Sequence, residues 1–169
     1  MNSVCAASNT FLILCALCLA SPAGAKEKKE AATLRVHLES PAAENRTEAI
    51  KIPRENPAVI TIEKNPILTE FNVSRAEIVP EVDGGFTVKV HFDRRGTWLL
   101  ENYTASYPGR RFAIHGAFGP SRWLGAPVIS RRVANGILQF TPDASREEAE
   151  RFIRGLNRTA AKIQKREKF

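Results

Sequence analysis

The cysteine distribution constrains the fold of this 169-residue chain more than any other feature of the sequence. All three cysteines, Cys5, Cys15 and Cys18, lie in the first 25 residues, a segment that contains no Asp, Glu, Lys or Arg. Residues 26–169 contain no cysteine, so a domain formed by them has no disulfide and no thiolate metal ligand. Its stability has to come from an apolar core, and 43% of the whole chain is hydrophobic.

The first 25 residues have the layout of a secretory signal peptide. Residues 11–20 form an apolar run that is shorter than the about 20 residues of a bilayer-spanning helix. The small residues Ala23-Gly24-Ala25 follow it and precede the charged residues 26–30. We therefore expect export to a periplasmic or extracellular location, with cleavage after Ala25; an uncleaved anchor is the alternative. No later apolar run approaches membrane length, so the mature chain is not expected to span a membrane.

Alternation of apolar and polar residues predicts strands over much of the remaining chain. The clearest example is residues 86–92, which follow a Gly84-Gly85 turn. Helical spacing predicts one helix over residues 96–106 and another that begins at Ser145, where Ser145 and Glu148 fit a capping box. The other predicted strands cover residues 34–38, 50–52, 59–63, 75–82, 111–117, 123–133 and 137–140.

This order of elements predicts an α+β fold, with a mostly antiparallel sheet and two main helices packed on one face. The Asn135-Gly136 sequence predicts that the last two strands form a hairpin. In the strand over residues 111–117 we expect Phe112 and Ile114 to be buried and Ala113 to be exposed. The expected segments are a signal peptide (1–25), a mobile leader (26–32), an N-terminal β-rich part (33–67), an α+β domain (68–158) and a basic C-terminal tail that frays (159–169).

An ordered series of short segments resembles the head subdomain in the large periplasmic region of SecD, a subunit of the SecDF protein-export motor. The series covers residues 68–158 and comprises residues 71–73, 86–92, 109–114, 126–129, 140–141 and 147–149. The resemblance implies an extracytoplasmic α+β domain that contacts translocating polypeptide and has no catalytic residues. SecD also has proton-conducting membrane helices, which this sequence lacks, so we expect a head-like domain that acts alone.

Aromatic residues near a loop that departs from the family pattern, residues 115–123, are the candidate partner-binding site. Exposed aromatic side chains around a loop bind peptide or mark a protein interface. The alternative for Trp98 and for the two loop aromatics is packing in the core. The candidate residues are Trp123, Phe118, Arg122, Trp98 and Tyr107.

The net charge is +7, and many of the cations come as arginine pairs or lie in the basic tail. Guanidinium groups suit carboxylates and phosphates because their planar fork binds both oxygens at once. After export, an anionic envelope surface is a more plausible target than nucleic acid. The alternative is that these cations are solvated residues of turns and strand edges. The candidate anion-binding residues are Arg94, Arg95, Arg110, Arg111, Arg131 and Arg132.

The histidines His37, His91 and His115 fall on the polar faces of predicted strands. A three-histidine zinc site would require these strands to be neighbours, and the spacing matches no metal motif. We find no nucleophile elbow and no glycine-rich phosphate loop, so we expect no enzyme activity, no metal and no cofactor. The predicted function is binding of polypeptide or an envelope protein; a structural protein that binds anionic surfaces is the alternative.

Overall fold

The computed structural model describes residues 31–41, 45–52 and 58–167. The predicted signal peptide, the cleavage position, the cysteines and most of the predicted leader lie outside these residues. The strands are β1 (Thr33–Leu38), β2 (Thr47–Ile52), β3 (Ala58–Glu63), β4 (Leu68–Thr69), β5 (Val73–Pro80), β6 (Phe86–Phe92), β7 (Phe112–Ala117), β8 (Ser121–Gly125) and β9 (Ile137–Phe140). The helices are α1 (Arg94–Ser106) and α2 (Arg146–Glu167), and Glu70–Asn72 form a 3₁₀ turn.

The strands form three antiparallel sheets, which confirms the predicted α+β class. A four-stranded sheet has the order β4-β1-β7-β8, a three-stranded sheet has the order β5-β6-β9, and β2 pairs with β3 as a hairpin. The four- and three-stranded sheets share one apolar core with both helices, in which Leu34, Leu100 and Leu156 are fully buried. Period-two alternation in the strands and the 3.6-residue period in α2 bring these rows of side chains together.

The β2–β3 hairpin covers the opposite face of the four-stranded sheet. Ile50, Ile52, Ile60 and Ile62 form a second buried cluster with Ala113 and Ala126. The prediction of an exposed Ala113 is therefore wrong, since its exposed fraction is 0%, and the predicted polar face of β1 is also covered, leaving His37 only 7% exposed. The isoleucines alternate along the hairpin strands, as expected for an amphipathic strand pair. They pack against the face of the sheet that is turned away from the main core.

The hairpin predicted at Asn135-Gly136 is wrong. Predicted strand 123–133 is shorter than expected, because β8 ends at Gly125, and β9 pairs with β6 instead of with the preceding segment. Leu138 and Phe140 face Val90 and Val88 across this pair, so the pairing buries four apolar side chains on one face. That burial outweighs the local preference for a tight turn, at about 25 cal/mol per Å² of apolar surface.

The start of α2 confirms the predicted capping box, whereas its end differs from the prediction. The Glu148 amide donates to Ser145 Oγ at 3.2 Å, and the Ser145 amide donates to a Glu148 carboxylate oxygen at 3.0 Å. The helix continues to Glu167, through most of the tail that was expected to fray. Thr159 Oγ1 donates to the carbonyl of the buried Ala32 at 2.8 Å, so the described end of the expected mobile leader is held against this helix.

Asn157 of α2 closes the outer edge of β5. The Ala76 amide donates to Asn157 Oδ1 at 2.6 Å, and Asn157 Nδ2 donates to the Ala76 carbonyl at 2.8 Å. The carboxamide thus replaces the neighbouring strand that Ala76 lacks on this side. Because Ala76 is only 5% exposed, water cannot readily replace either bond.

Asn157→Ala should lower the free energy of unfolding by about 1–3 kcal/mol, because it leaves a buried amide and carbonyl without partners. Urea denaturation followed by circular dichroism measures the change. Asn102→Ala is the matched control: Asn102 is exposed, and its side-chain Nδ2 donates to the Trp98 carbonyl within α1, so the loss of this bond should cost clearly less. Equal losses for both variants would contradict the role of Asn157.

Candidate functional site

A groove of about 990 Å³ lies between β9 and residues 127–135. We call it the split-hairpin groove, because its two walls are the arms of the hairpin that the sequence predicted. All four residues of β9 line one wall, and residues 127–130 line the other. Among the described residues, its lining includes the three cations Lys89, Arg131 and Arg132 and no Asp, Glu, His or Cys.

The two arms separate because they join different sheets. The first arm follows the beginning of β7, where the Phe112 amide donates to the Pro127 carbonyl at 3.0 Å and the Ile129 amide donates to the Arg110 carbonyl at 2.8 Å. The second arm is β9, which belongs to the three-stranded sheet. The arms meet at their base, where the Asp143 amide donates to the Leu124 carbonyl at 2.7 Å.

The loop between the arms is tied to α1. The Val133 amide donates to the buried Thr104 Oγ1 at 2.9 Å, and Arg132 forms an ion pair with Glu101. Gly136, which returns the chain to β9, has a φ of 68°, and a Cβ there would overlap the Thr97 side chain. These contacts hold the groove open as part of the fold.

The groove was not predicted from the sequence, although two signals for it are present there. The predicted strand 123–133 is much longer than the predicted strand 137–140, so the two could not have paired over their whole lengths. Pro127 within the longer segment also argues against a paired central strand. The sequence alone could not show that β9 pairs with β6, which lies far earlier in the chain.

The structure separates the predicted aromatic site into buried, half-buried and exposed residues. Phe118 is 1% exposed and packs on Phe152 with ring centroids 5.4 Å apart, so its assignment to an exposed binding site is wrong. Trp123 is half-buried, and its ring makes edge contacts with His37 and His115 at 5.6 and 5.0 Å. Phe118 follows a strand whose apolar row continues into the core, which is why it turns inward.

Trp98 is the exposed aromatic of the predicted set. It is 63% exposed, so the core-packing alternative for it is wrong, and it lies beside Asp93, Arg94 and Arg95 at the start of α1. Tyr107 is half-buried at the end of α1, with the Arg110 guanidinium 4.7 Å from its ring centroid.

Arg122 ties β8 to the start of α2. Its Nη1 donates to Glu148 Oε1 at 3.2 Å and its Nη2 donates to the Asp143 carbonyl, at the base of the split-hairpin groove. Its Nε is buried and has no hydrogen-bond partner among the described residues. Both Nη atoms of the guanidinium are therefore bound to groups of the fold itself.

The six predicted anion-binding arginines have different surroundings. Arg94 and Arg95 are exposed in the first turn of α1, and Arg111 lies 4.0 Å from a Glu39 carboxylate oxygen. Arg131 and Arg132 belong to the groove lining described above.

The three histidines divide between two sheets. His91 Nε2 donates to Glu77 Oε1 at 2.8 Å on the three-stranded sheet, whereas His37 and His115 flank Trp123 on the four-stranded sheet. Residues 31–41, 45–52 and 58–167 contain no cluster of three or more His, Cys, Asp or Glu that could hold a metal ion.

Burial is the main cause of the lowered pKa of the two histidines beside Trp123. Desolvation lowers the pKa of His37, although its Nδ1–H donates to the Glu63 carbonyl at 2.8 Å and so partly opposes the shift. Desolvation also lowers the pKa of His115, and the positive charge of Arg35, together with that of His37 when it is protonated, lowers it further. Both rings therefore favour the neutral form in the folded protein.

Stability should fall as the pH decreases from about 7.5 to about 5, because unfolded histidine takes up a proton near pH 6.5 and the folded protein resists that proton. The sign follows from the lowered pKa: the stabilisation is complete above the unfolded value and is lost below it. Urea denaturation across this range measures the slope.

Replacing both His37 and His115 with Gln should reduce this slope. His91→Gln is the control, since His91 lies on the other sheet with Glu77. An unchanged slope in the double variant would contradict the assignment to these two rings.

The chain is similar to a known protein family and to solved structures. The family model of the SecDF P1 head subdomain matches residues 46–161, which is more than half of the chain. The chain belongs to this family. The match begins before the segment 68–158 in which the resemblance was expected, and it includes β2 and β3.

Two solved structures share the fold. A structure described as "Structure and function of a membrane component SecDF that enhances protein export" is 21% identical over 76% of this chain and 63% of its own, with a TM-score of 0.56. The "Crystal structure of SecDF in Super-membrane-facing form" is 21% identical over 76% of this chain and 19% of its own, with a TM-score of 0.54. This chain thus spans less than two thirds of either relative. No curated protein sequence matches it.

Within the part of the chain that the structure describes, no helix has both the length and the apolar character needed to cross a bilayer.

Proposed function

We propose that this SecDF head domain acts in protein export outside the cytoplasm by binding polypeptide in the split-hairpin groove, without catalysing a reaction. The observation that supports this proposal best is the groove between two sheet edges, whose lining combines apolar side chains with hydroxyl, amide and cationic ones. A translocating or unfolded chain is the expected ligand, and an exposed segment of an envelope protein would offer the same chemistry. The expected location is periplasmic or extracellular.

The size and lining of the groove suit a segment of extended chain. A volume of about 990 Å³ is at the upper end of ordinary ligand pockets, which range from about 300 to 1,000 Å³. Val128 is 53% exposed at the rim, and Ile137 and Val133 are half-buried beside it. Such apolar contacts favour unfolded chains over folded surfaces, because folded proteins keep similar side chains in their own cores.

Purified protein should bind a reduced, carboxymethylated protein, used as an unfolded probe, and should not bind the same protein in its native form. Fluorescence anisotropy of the labelled probe measures the affinity. Val128→Asp should weaken binding about tenfold or more, because it places a charge on the apolar rim of the groove.

Val59→Asp is the matched control for this experiment. Val59 is 70% exposed on the β2–β3 hairpin, so its replacement introduces the same charge away from the groove. Absence of binding by the unmodified protein would overturn the proposed function. Equal weakening by both variants would remove the groove as its site.

A cationic stripe on α2 supports a second candidate function, association with an anionic envelope surface. Its members are spaced three or four residues apart and lie opposite the buried face of Phe152 and Leu156. All of them except the half-buried Arg158 are exposed. The stripe consists of Arg151, Arg154, Arg158, Lys162 and Lys165.

Anionic vesicles should bind the protein with an affinity that falls steeply as salt is added, whereas zwitterionic vesicles should not bind it. Replacing Arg151, Lys162 and Lys165 with Gln should weaken binding about 100-fold at low salt, since each cation near an anionic surface contributes about 1 kcal/mol. Vesicle co-sedimentation measures this.

The control for the vesicle experiment replaces Arg94, Arg95 and Arg131 with Gln, which removes the same charge from other surfaces. Comparable losses in both triple variants would show an effect of net charge alone. Vesicle binding that does not respond to salt would contradict an electrostatic role for α2.

A further inference from the structure

We propose that the bound polypeptide forms an additional strand on the free edge of β9, so that it extends the three-stranded sheet. This inference rests on the proposed function and specifies how the split-hairpin groove binds its ligand. It predicts recognition through the ligand's backbone, which every polypeptide shares, with a secondary preference set by alternate side chains.

The hydrogen-bond pattern of β9 shows which backbone groups face the groove. The Phe92 amide donates to the Gly136 carbonyl at 2.9 Å, and antiparallel pairs exchange bonds at every second residue. Leu138 and Phe140 therefore bond to β6, whereas Ile137 and Gln139 direct their backbone groups away from it. The Ile137 amide donates to Asn135 Oδ1 at 3.1 Å. Within the part of the chain that the structure describes, this leaves the Ile137 carbonyl, the Gln139 amide and the Gln139 carbonyl for a new strand.

The two edges of the three-stranded sheet differ in whether side chains bind their backbone groups. At β5, α2 supplies side-chain partners: Asn157 bonds to Ala76, and Gln164 Nε2 donates to the Ser74 carbonyl at 3.2 Å. At β9, every residue lines the groove, and β6 is its only strand partner in the described part of the chain. An exposed strand edge next to a preformed groove is the feature that strand-adding peptide sites share.

The opposite wall presents a second backbone row. The Arg111 amide donates to Glu39 Oε2 at 2.9 Å, and the Glu39 amide donates to the Arg111 carbonyl, so the backbone of Arg111 faces β1. On its other side, Arg111 forms a β-bridge with Val128. The hydrogen bonds of this bridge are made by Pro127 and Ile129, the two neighbours of Val128. The amide and carbonyl of Val128 itself therefore point away from β7, so this arm is also an edge that pairs with no further strand among the described residues.

The side chains around β9 define the preferred sequence of the added strand. Leu138 and Phe140 lie on the inner face of β9, next to Phe112 and Ile129 in the groove lining. Gln139 lies on the outer face, paired with Lys89. A strand added to this edge places alternate residues on each face, so apolar residues facing inward and polar or acidic residues facing outward would fit best.

A proline substitution tests the backbone pairing directly. Gln139→Pro removes the outward amide and places a ring in the path of the new strand, yet it removes no β6–β9 hydrogen bond. Gln139→Thr is the matched control, because it keeps the amide while losing the same side-chain bond to Thr87 Oγ1. The probe is a labelled peptide of about eight residues that alternates Val with Thr and Glu, long enough to cover β9.

Gln139→Pro should weaken peptide binding about tenfold or more relative to Gln139→Thr, because a backbone bond and close approach are both lost. Thermal unfolding checks that both variants are folded. If the proline variant does not fold, amide exchange in the unmodified protein provides the result: peptide should slow exchange at Gln139 by at least tenfold and leave the β2–β3 hairpin unchanged.

The outcomes separate the binding mode from the proposed function. No binding of the peptide or of an unfolded protein by the unmodified chain would overturn both. Equal binding by the Pro and Thr variants, or no slowing at Gln139, would overturn strand addition and leave groove binding intact. A free protein that is dimeric, and that Gln139→Pro makes monomeric, would identify a second copy as the occupant and would also overturn the inference.

Discussion

The pairing of β9 with β6 is the interaction on which the core and the groove both depend. It places Leu138 and Phe140 over the main core opposite Val90 and Val88, and so completes the three-stranded sheet. The same pairing draws β9 away from the segment after β8, which follows β7 instead. A hairpin that had closed on itself would have left the edge of β6 unpaired and no space between the arms. The groove is thus a consequence of how the core is completed.

Local sequence signals were sufficient to predict those elements that are determined by their own residues. The strand over residues 86–92 and the capping box at Ser145 and Glu148 are both present as predicted. Alternation and capping act over a few neighbouring residues, so a single sequence contains all the information that they require. The α+β class follows from the order of such elements.

Predictions failed where burial depends on a distant segment. Ala113 and His37 lie at positions where the alternation predicts exposed side chains, but the β2–β3 hairpin covers that face of the sheet. The position of the hairpin cannot be deduced from the alternation in β1 or β7. Phe118 and Trp98 were assigned similar roles from the sequence, yet Phe118 packs on Phe152 and Trp98 is exposed. The groove and the edge closure by Asn157 also depend on contacts between residues far apart in the chain.

The cations around the groove are compatible with both roles that the sequence left open for them, binding of anionic groups and protection of a strand edge. Charged side chains at a strand edge discourage pairing between identical molecules, because the approaching copy brings the same charge. Lys89 and Arg131 line the groove, whereas the third cation of its lining, Arg132, is paired with Glu101. A second copy of this edge would therefore bring the like charges of Lys89 and Arg131 together. An extended chain of different sequence, particularly one with acidic residues, would not meet this repulsion. The same cations can therefore protect the edge from self-association and leave it open to a polypeptide ligand.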